Sequence, residues 1–521
     1  MKGITPQIIL YVISGYFLLL MAISWLTSRK ATNATFFSAD NQSPWYLVAF
    51  GMVGATLSGV TFISIPGIVG ATPEVMKMLT GEAKVNTNIY FSYMQVVMGY
   101  LLGYAVIALV LLPLYYRLKL TSIYQYLGQR FGYFSQKAGA GYFLLSRIIG
   151  ASFRIYLVAI VLQKFMMDAY GIPFWATILL MVGLIWAYTY KGGIKTIIYT
   201  DTLQTLFMLI AVVATIAYIG SSMGQSFTET LTTVKNSEYS KVFFFENGWS
   251  DPNFFFKQFF SGALMAIVMT GLDQDMMQKN LTCKSLKQAQ WNMGSFVFVL
   301  VFVNMLFLAL GALLYMYSTN IGLTLPKATD QLYPLLALKH FPTYISITFL
   351  IGFIAAAFSS ADSALTSLTT SFSTDFLGIS TKPEETQPND KRNRMITHIA
   401  FSLIVMALVI VADQLSEGAV INKLFKFAGY TYGPLLGMFA FGILTKRQIK
   451  DNLVIPVTLA AAIFSVILDL YSERIFNGFT FGFFILAVNG LITFFALWLI
   501  SSKAKEHDVL DDLTIFGRPN S

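Results

Sequence analysis

Thirteen apolar runs, most of them close to the length a helix needs to cross a bilayer, decide what this chain can become. They lie near 6–27, 45–70, 88–114, 138–163, 172–190, 196–221, 254–276, 291–317, 341–373, 396–412, 418–444, 453–471 and 477–501. A hydrocarbon core takes about 20 residues of helix to span, and backbone placed there must satisfy its own polar groups, which leaves helices and closed barrels. Barrel strands would read as alternating segments of about 10 residues. These runs do not alternate, and the chain is expected to be an all-α polytopic membrane protein. At 56% hydrophobic and 12% charged over 521 residues, a soluble globule is excluded.

Charge tests the number of spans. With the N-terminus outside, alternate loops carry Arg29 and Lys30, then Arg117, Lys119, Arg130 and Lys137, then Lys191 and Lys195. Lys279, Lys284 and Lys287 follow, then the basic residues of 382–394, then Lys446, Arg447 and Lys450, and the tail. About 21 Lys and Arg fall on one side and about 9 on the other, which assigns the first side, and the C-terminus, to the cytoplasm. The net charge of +9 is therefore an orientation signal, not a sign of nucleic acid. Arg29 and Lys30 follow a first run too long for a signal-peptide core, so it is expected to remain as a helix. The lone Cys283 excludes an internal disulfide, and three His argue against a dedicated zinc or haem site. The loops hold no Ser/His/Asp set, Walker loop or metal motif, so an enzyme is not expected.

Two spans are interrupted. Residues 51–67, GMVGATLSGVTFISIPG, mix glycines and a proline with small hydroxyl residues, and 262–274, GALMAIVMTGLDQ, turn abruptly polar after Gly271. Broken helices at matching places in two halves point to a midplane site in inverted-repeat transporters. Each opens a set of five spans. The expected organisation is a peripheral helix and loop (1–44), a first repeat (45–221), an external loop (222–253), a second repeat (254–444), two peripheral helices (445–501) and a cytoplasmic tail (502–521). The cytoplasmic loop 374–395 reads as a solvated linker.

Polar groups inside the spans carry the chemistry. In AAAFSSADSALTSLTTSFSTD at 355–375, helical spacing gathers Ser359, Asp362, Ser363 and Thr366 on one face with Ser360 beside them. Such oxygens suit a small hard cation, although hydroxyl-rich helices also serve close packing. Asp201, in YTDTLQ, either pairs with Lys195 or Lys191 near the interface or faces this hydroxyl-rich helix. A carboxylate at that depth costs roughly 2.5–3.5 kcal/mol on insertion scales and needs a partner. Arg147 and Arg154 stand seven residues apart on one face, and an arginine facing a cavity can grip a carboxylate in bidentate fashion. Snorkelling accounts equally for Arg147 and for Lys426. Tyr430 and Tyr432, in GYTYGP, are candidate gate residues.

The ordered set GATLSGVTFISIPG (54–67), YLGQRFG (126–132), GGIKTIIYTDTLQ (192–204), QKNLTCKS (278–285) and AAAFSSADSALTS (355–367) resembles the sodium:solute symporter family. That family includes bacterial sodium–galactose, sodium–proline and sodium–sialic acid transporters. The resemblance implies a five-plus-five inverted-repeat core of the leucine-transporter class and alternating access driven by sodium. It implies a principal sodium site at the carbonyls of Gly54, Leu57 and Ala356 with the hydroxyls of Ser359 and Ser360. A second sodium, bound by some members, would fall on Asp201, Ser359, Asp362 and Ser363, where Asp362 stands in place of a small or hydroxyl residue. One or two co-transported Na+ are thus expected.

The substrate pocket departs further from the galactose transporter. Its hydrogen-bonding side chains fall on Thr61, Ala266 and Met269 and near Leu300 and Phe425, which argues against the same sugar-binding mode. Sialic acid transporters hold a carboxylate with an arginine in the segment matching 138–163, so Arg147 or Arg154 is expected to do the same. Ser58, Thr61 and Thr270 at the two breaks, with Phe425, complete the candidate substrate set. The expected function is sodium-coupled import of a small organic solute such as a carboxylate or sugar acid, across a bacterial inner membrane, with no obligatory protein partner. The alternatives are a proton-coupled symporter using Asp201 and Asp362, or a transporter-like solute receptor. A channel is disfavoured, as no repeated filter sequence or charged ring is present.

Overall fold

The computed structural model describes residues 5–29, 31–80, 89–246, 248–380, 385, 387–415, 420–476, 481, 484–503 and 513–514, without the side chains of 80, 165, 414, 415 and 420–428. Most of the tail expected at 502–521, part of the linker 374–395 and the side chains of Phe425 and Lys426 lie outside the described residues.

The helices that frame the molecule are α1 (Pro6–Thr27), α2 (Trp45–Thr56), α3 (Gly59–Ile68), α4 (Tyr93–Val106), α5 (Tyr133–Phe165), α6 (Phe174–Thr189) and α7 (Ile194–Ser222). After the loop come α8 (Phe255–Ala266), α9 (Gln274–Leu281), α10 (Leu286–Asn320), α11 (Thr343–Ser371), α12 (Asp390–Leu415) and α13 (Val420–Leu444). Two more, α14 (Val454–Ile475) and α15 (Ile485–Leu499), follow. Prolines mark starts, at the first turn of α1 and immediately before α2, α6 and α11, where the missing N–H costs nothing. Among the described residues, eight helices are long and apolar enough to cross a membrane, or ten if each bent pair is one span. The shorter apolar helices α6 and α15, and α13, fall at the other expected positions.

Both expected interruptions are real bends. The α2–α3 pair turns by 62°, and the helix through α8 to Gly271 meets α9 at 65°. Leu57 leaves helical geometry (φ −86°, ψ 78°) and Ser58 is extended (φ −63°, ψ 168°). The break between Gly271 and Gln274 is closed by Asp273, whose carboxylate accepts from the backbone N–H of Asp275 at 2.9 Å as an N-cap.

Small residues set the helix spacing. A Cβ on Gly99 would run into the Phe259 carbonyl and one on Gly262 into the Val96 carbonyl, so α4 and α8 touch backbone to backbone. Charged groups fasten the ends. Arg130 is buried, and its guanidinium donates to the carbonyls of Gly442 (3.1 Å), Thr445 (2.8 Å) and Arg447 (2.9 Å), closing the C-terminus of α13. Asp451 accepts from the N–H groups of Phe134 and Ser135, both at 2.8 Å, at the start of α5. A short antiparallel ladder of Arg447–Ile449 with Ser501–Lys503 ties the ends of the last helix pair together.

Candidate functional site

The hydroxyl-rich helix α11 is the buried centre of the molecule. From Gly352 to Ser371 every residue is buried. Several of its hydroxyls bond back along the helix, Ser360 to the Ala357 carbonyl (3.0 Å), Ser367 to Ala364 (3.0 Å) and Thr370 to Thr366 (2.9 Å), while the buried Thr366 Oγ1 has no hydrogen-bond partner among the described residues. A run this polar can therefore stay helical while presenting oxygens to its neighbours. Those neighbours are α7 on one side and the broken pair α2–α3 on another.

Asp201 faces α11, not the interface. Ser359 Oγ donates to Asp201 Oδ1 at 2.6 Å, and Ser363 Oγ reaches Oδ2 at 3.5 Å. Lys195, one of the two partners expected for an interfacial Asp201, pairs with Asp40 at 3.2 Å instead. Asp201 has another cation, which the sequence reading assigned to a cytoplasmic loop: Lys279 on α9, with Nζ 2.7 Å from Oδ2. Asp362 is buried beside them and accepts from the Tyr188 hydroxyl (2.7 Å) and the Ser363 N–H (2.6 Å).

The break between α2 and α3 is wedged against this cluster. The Gly54 N–H donates to Thr205 Oγ1 at 3.0 Å, and Thr205 Oγ1 donates to the Asp201 carbonyl at 2.8 Å. Gly51 lies so close to Asp201 that an added Cβ would be 3.0 Å from its Cβ. Gly59, the first residue of α3, stands in the same relation to Ala357, at 3.1 Å. Ending α2 at Thr56 leaves its last carbonyls without N–H groups one turn on. Gly54 on α2 and Leu57 immediately after it thus lie on an element in contact with α11, which carries Ala356, Ser359 and Ser360. The Oγ1 of Thr56 is buried without a partner among the described residues. Carbonyl and hydroxyl oxygens of this kind fit a hard monovalent cation.

The candidate substrate residues divide into two groups. Ser58 and Thr61 bring their hydroxyls to 3.3 Å at the start of α3, which packs on α5, the helix of both arginines. Thr270 instead turns to Tyr104 on α4, 3.3 Å away. Arg147 is committed: it pairs directly with Asp275 and lies 3.7 Å from Asp273. Tyr432 fastens the same Asp273 with a 2.6 Å hydrogen bond, and Tyr430 bonds Asp469 at 2.6 Å. Arg154 keeps a buried guanidinium nitrogen, Nη1, without a hydrogen-bond partner among the described residues.

Sequence reasoning missed Lys279, Asp273, Asp275 and Tyr188. The polar run beginning at Asp273 held a signal, because acids just past a broken apolar span must pair with something inside. Nothing local distinguished Lys279 from a lysine of the basic loop that follows it.

The comparisons with known proteins bear on this geometry. A model of the sodium:solute symporter family matches residues 36–451. A sodium/sialic acid symporter of Proteus mirabilis is 25% identical over 485 residues, 90% of this chain and 91% of the relative. Another, from Aliivibrio fischeri, is 23% identical over 475 residues, covering 89% and 87%. A solved structure described as the substrate-bound outward-open state of a Na+-coupled sialic acid symporter, with a novel Na+ site, superposes with a TM-score of 0.77. It covers 95% of this chain and 99% of its own at 22% identity, which supports the expected all-α fold of the leucine-transporter class.

Proposed function

Because the chain belongs to the sodium:solute symporter family, we propose that it is a sodium-coupled importer of a small carboxylated solute of the sialic-acid kind, working by alternating access. One observation carries the reading: the break at Leu57–Ser58 lies against the helix bearing Ser359 and Ser360. Sodium exchanges its water for the carbonyls of Gly54, Leu57 and Ala356 and the hydroxyls of Ser359 and Ser360. It thereby ties α2 to α11 and holds the outward-facing arrangement. The solute enters at the breaks near Ser58, Thr61 and Thr270, with Phe425 on the later helix. Arg154 takes its carboxylate, since Arg147 is already neutralised by Asp275. Closure then releases ion and solute to the cytoplasm, with an inside-negative potential contributing about 2.3 kcal/mol per charge per 100 mV.

The two repeats, 45–221 and 254–444, rock about this site, with 1–44 and 445–501 peripheral and the loop 222–253 outside. The basic loops and the tail face the cytoplasm, the N-terminus lies outside, and the membrane is a bacterial inner membrane. The family membership and the sialic acid symporters among the relatives support transport without chemical conversion of the solute. The test is uptake of labelled N-acetylneuraminic acid into proteoliposomes. An inward sodium gradient should drive accumulation, which an inside-negative potential increases. Equal uptake with potassium replacing sodium, or uptake that follows only a proton gradient, would reject sodium coupling.

A further inference from the structure

The Asp201 carboxylate already has a cation, and it is covalently part of the chain. Lys279 Nζ sits 2.7 Å from Asp201 Oδ2, with the two side chains 2% and 1% exposed. The remaining donors on Asp201 are Ser359 at 2.6 Å and Ser363 at 3.5 Å. These three residues are three of the four that make up the candidate second sodium site. The fourth, Asp362, spends its oxygens on Tyr188 and on the Ser363 N–H.

The bend before α9 is what makes this possible. It turns the helix by 65° and lays α9 against both α7 and α11, so a lysine in its second turn ends inside the protein. A buried carboxylate without a counter-charge is strongly disfavoured, and an ammonium meets that need as a single positive charge does. Unlike sodium, it does not exchange with the medium. The pair is also hydrogen-bonded in place, because Asp201 is held from its other side by Ser359.

We propose that the Lys279 ammonium is the resident cation of the second site, so that this chain binds one sodium, at the break between α2 and α3, and none at Asp201. The inference rests on the sodium reading given above. It makes Lys279 the residue that sets the coupling ratio, by pre-empting a site whose oxygen ligands are otherwise present.

Equilibrium binding of sodium-22 to the purified full-length chain tests it, with potassium holding ionic strength constant. The native protein and Lys279→Arg should each bind one sodium. Lys279→Met keeps the bulk but exposes Asp201, and should bind two. Adding Asp201→Asn to Lys279→Met should return the number to one. If Lys279→Met melts early in potassium and is restored by sodium alone, the ion has taken the place of the ammonium, as proposed. Two sodium ions on the native chain, the second lost in Asp201→Asn, would overturn the proposal. So would a folded Lys279→Met that still binds one. A native chain that binds no sodium would remove the underlying sodium reading, and this proposal with it.

Discussion

The Tyr188 hydroxyl and the Asp362 carboxylate meet at 2.7 Å between α6 and α11, both residues fully buried. Tyr188→Phe preserves the ring and removes only the donor. A buried acceptor that loses a partner costs about 1–3 kcal/mol. The variant should therefore melt several degrees below the native chain in a detergent thermal-unfolding series, and an unchanged melting temperature would show that Asp362 draws its support elsewhere.

The two arginines of α5 should separate cleanly by assay. Arg147→Ala leaves Asp273 and Asp275 without their buried counter-charge, a loss typically about 3–5 kcal/mol, so it should reduce the yield of folded protein. Arg154→Ala should fold and instead weaken solute binding. A charge-assisted hydrogen bond is worth about 1.5–3 kcal/mol, which is roughly tenfold or more in KM. Reversal of these two phenotypes would exchange the assigned roles.

Gly262 has no room for a side chain, because the Val96 carbonyl fills the position a Cβ would occupy. Separating α8 from α4 to admit a methyl group should cost about 1–3 kcal/mol. Gly262→Ala is expected to lower the melting temperature, whereas Gly183→Ala, with nothing within 4 Å of the added carbon, should not.

Outside the membrane, pH should act on the helix Phe227–Lys235. Glu229 accepts from the Ser226 N–H at 2.7 Å and from its hydroxyl at 2.8 Å, and these bonds, the backbone one first, hold its carboxyl below the usual glutamate range. A depressed acid contributes when ionised, so this cap is complete above about pH 4.3 and is lost as pH falls through the lower folded value. Hydrogen exchange of the helix should accelerate in that acidic window in the native chain. In Glu229→Gln the exchange should show no such step.

The two breaks and the hydroxyl face of α11 were legible because they violate rules a lipid-facing helix must obey. Glycine and extended backbone at Leu57–Ser58, and hydroxyls at membrane depth, have no comfortable place in hydrocarbon. Asp201 was legible for the same reason, as was its approach to Ser359 and Ser363. Its true partner was not. Lys279 lies 78 positions away and precedes Lys284 and Lys287, so in sequence it is one more positive loop residue. Only the turn of α9 after Asp273 carries it inward. Arg147 and Arg154 could likewise be identified as a pair but not told apart, since what distinguishes them is the acid pair on another helix. The side chain of Phe425 lies outside the described residues.

The most direct test of the sodium site is thermal unfolding of the purified chain across sodium concentrations, with potassium as the balancing salt, for the native protein and Ser360→Ala. Among the described residues Ser360 Oγ donates only back along its own helix, to the Ala357 carbonyl at 3.0 Å and more distantly to Ala356 at 3.4 Å, so its removal leaves α11 intact. The account predicts a saturable, sodium-specific rise in melting temperature for the native chain, as a ligand stabilises the state it binds. In Ser360→Ala the rise should shift to higher sodium. A native chain indifferent to sodium, or a Ser360→Ala variant with the native response, would contradict it.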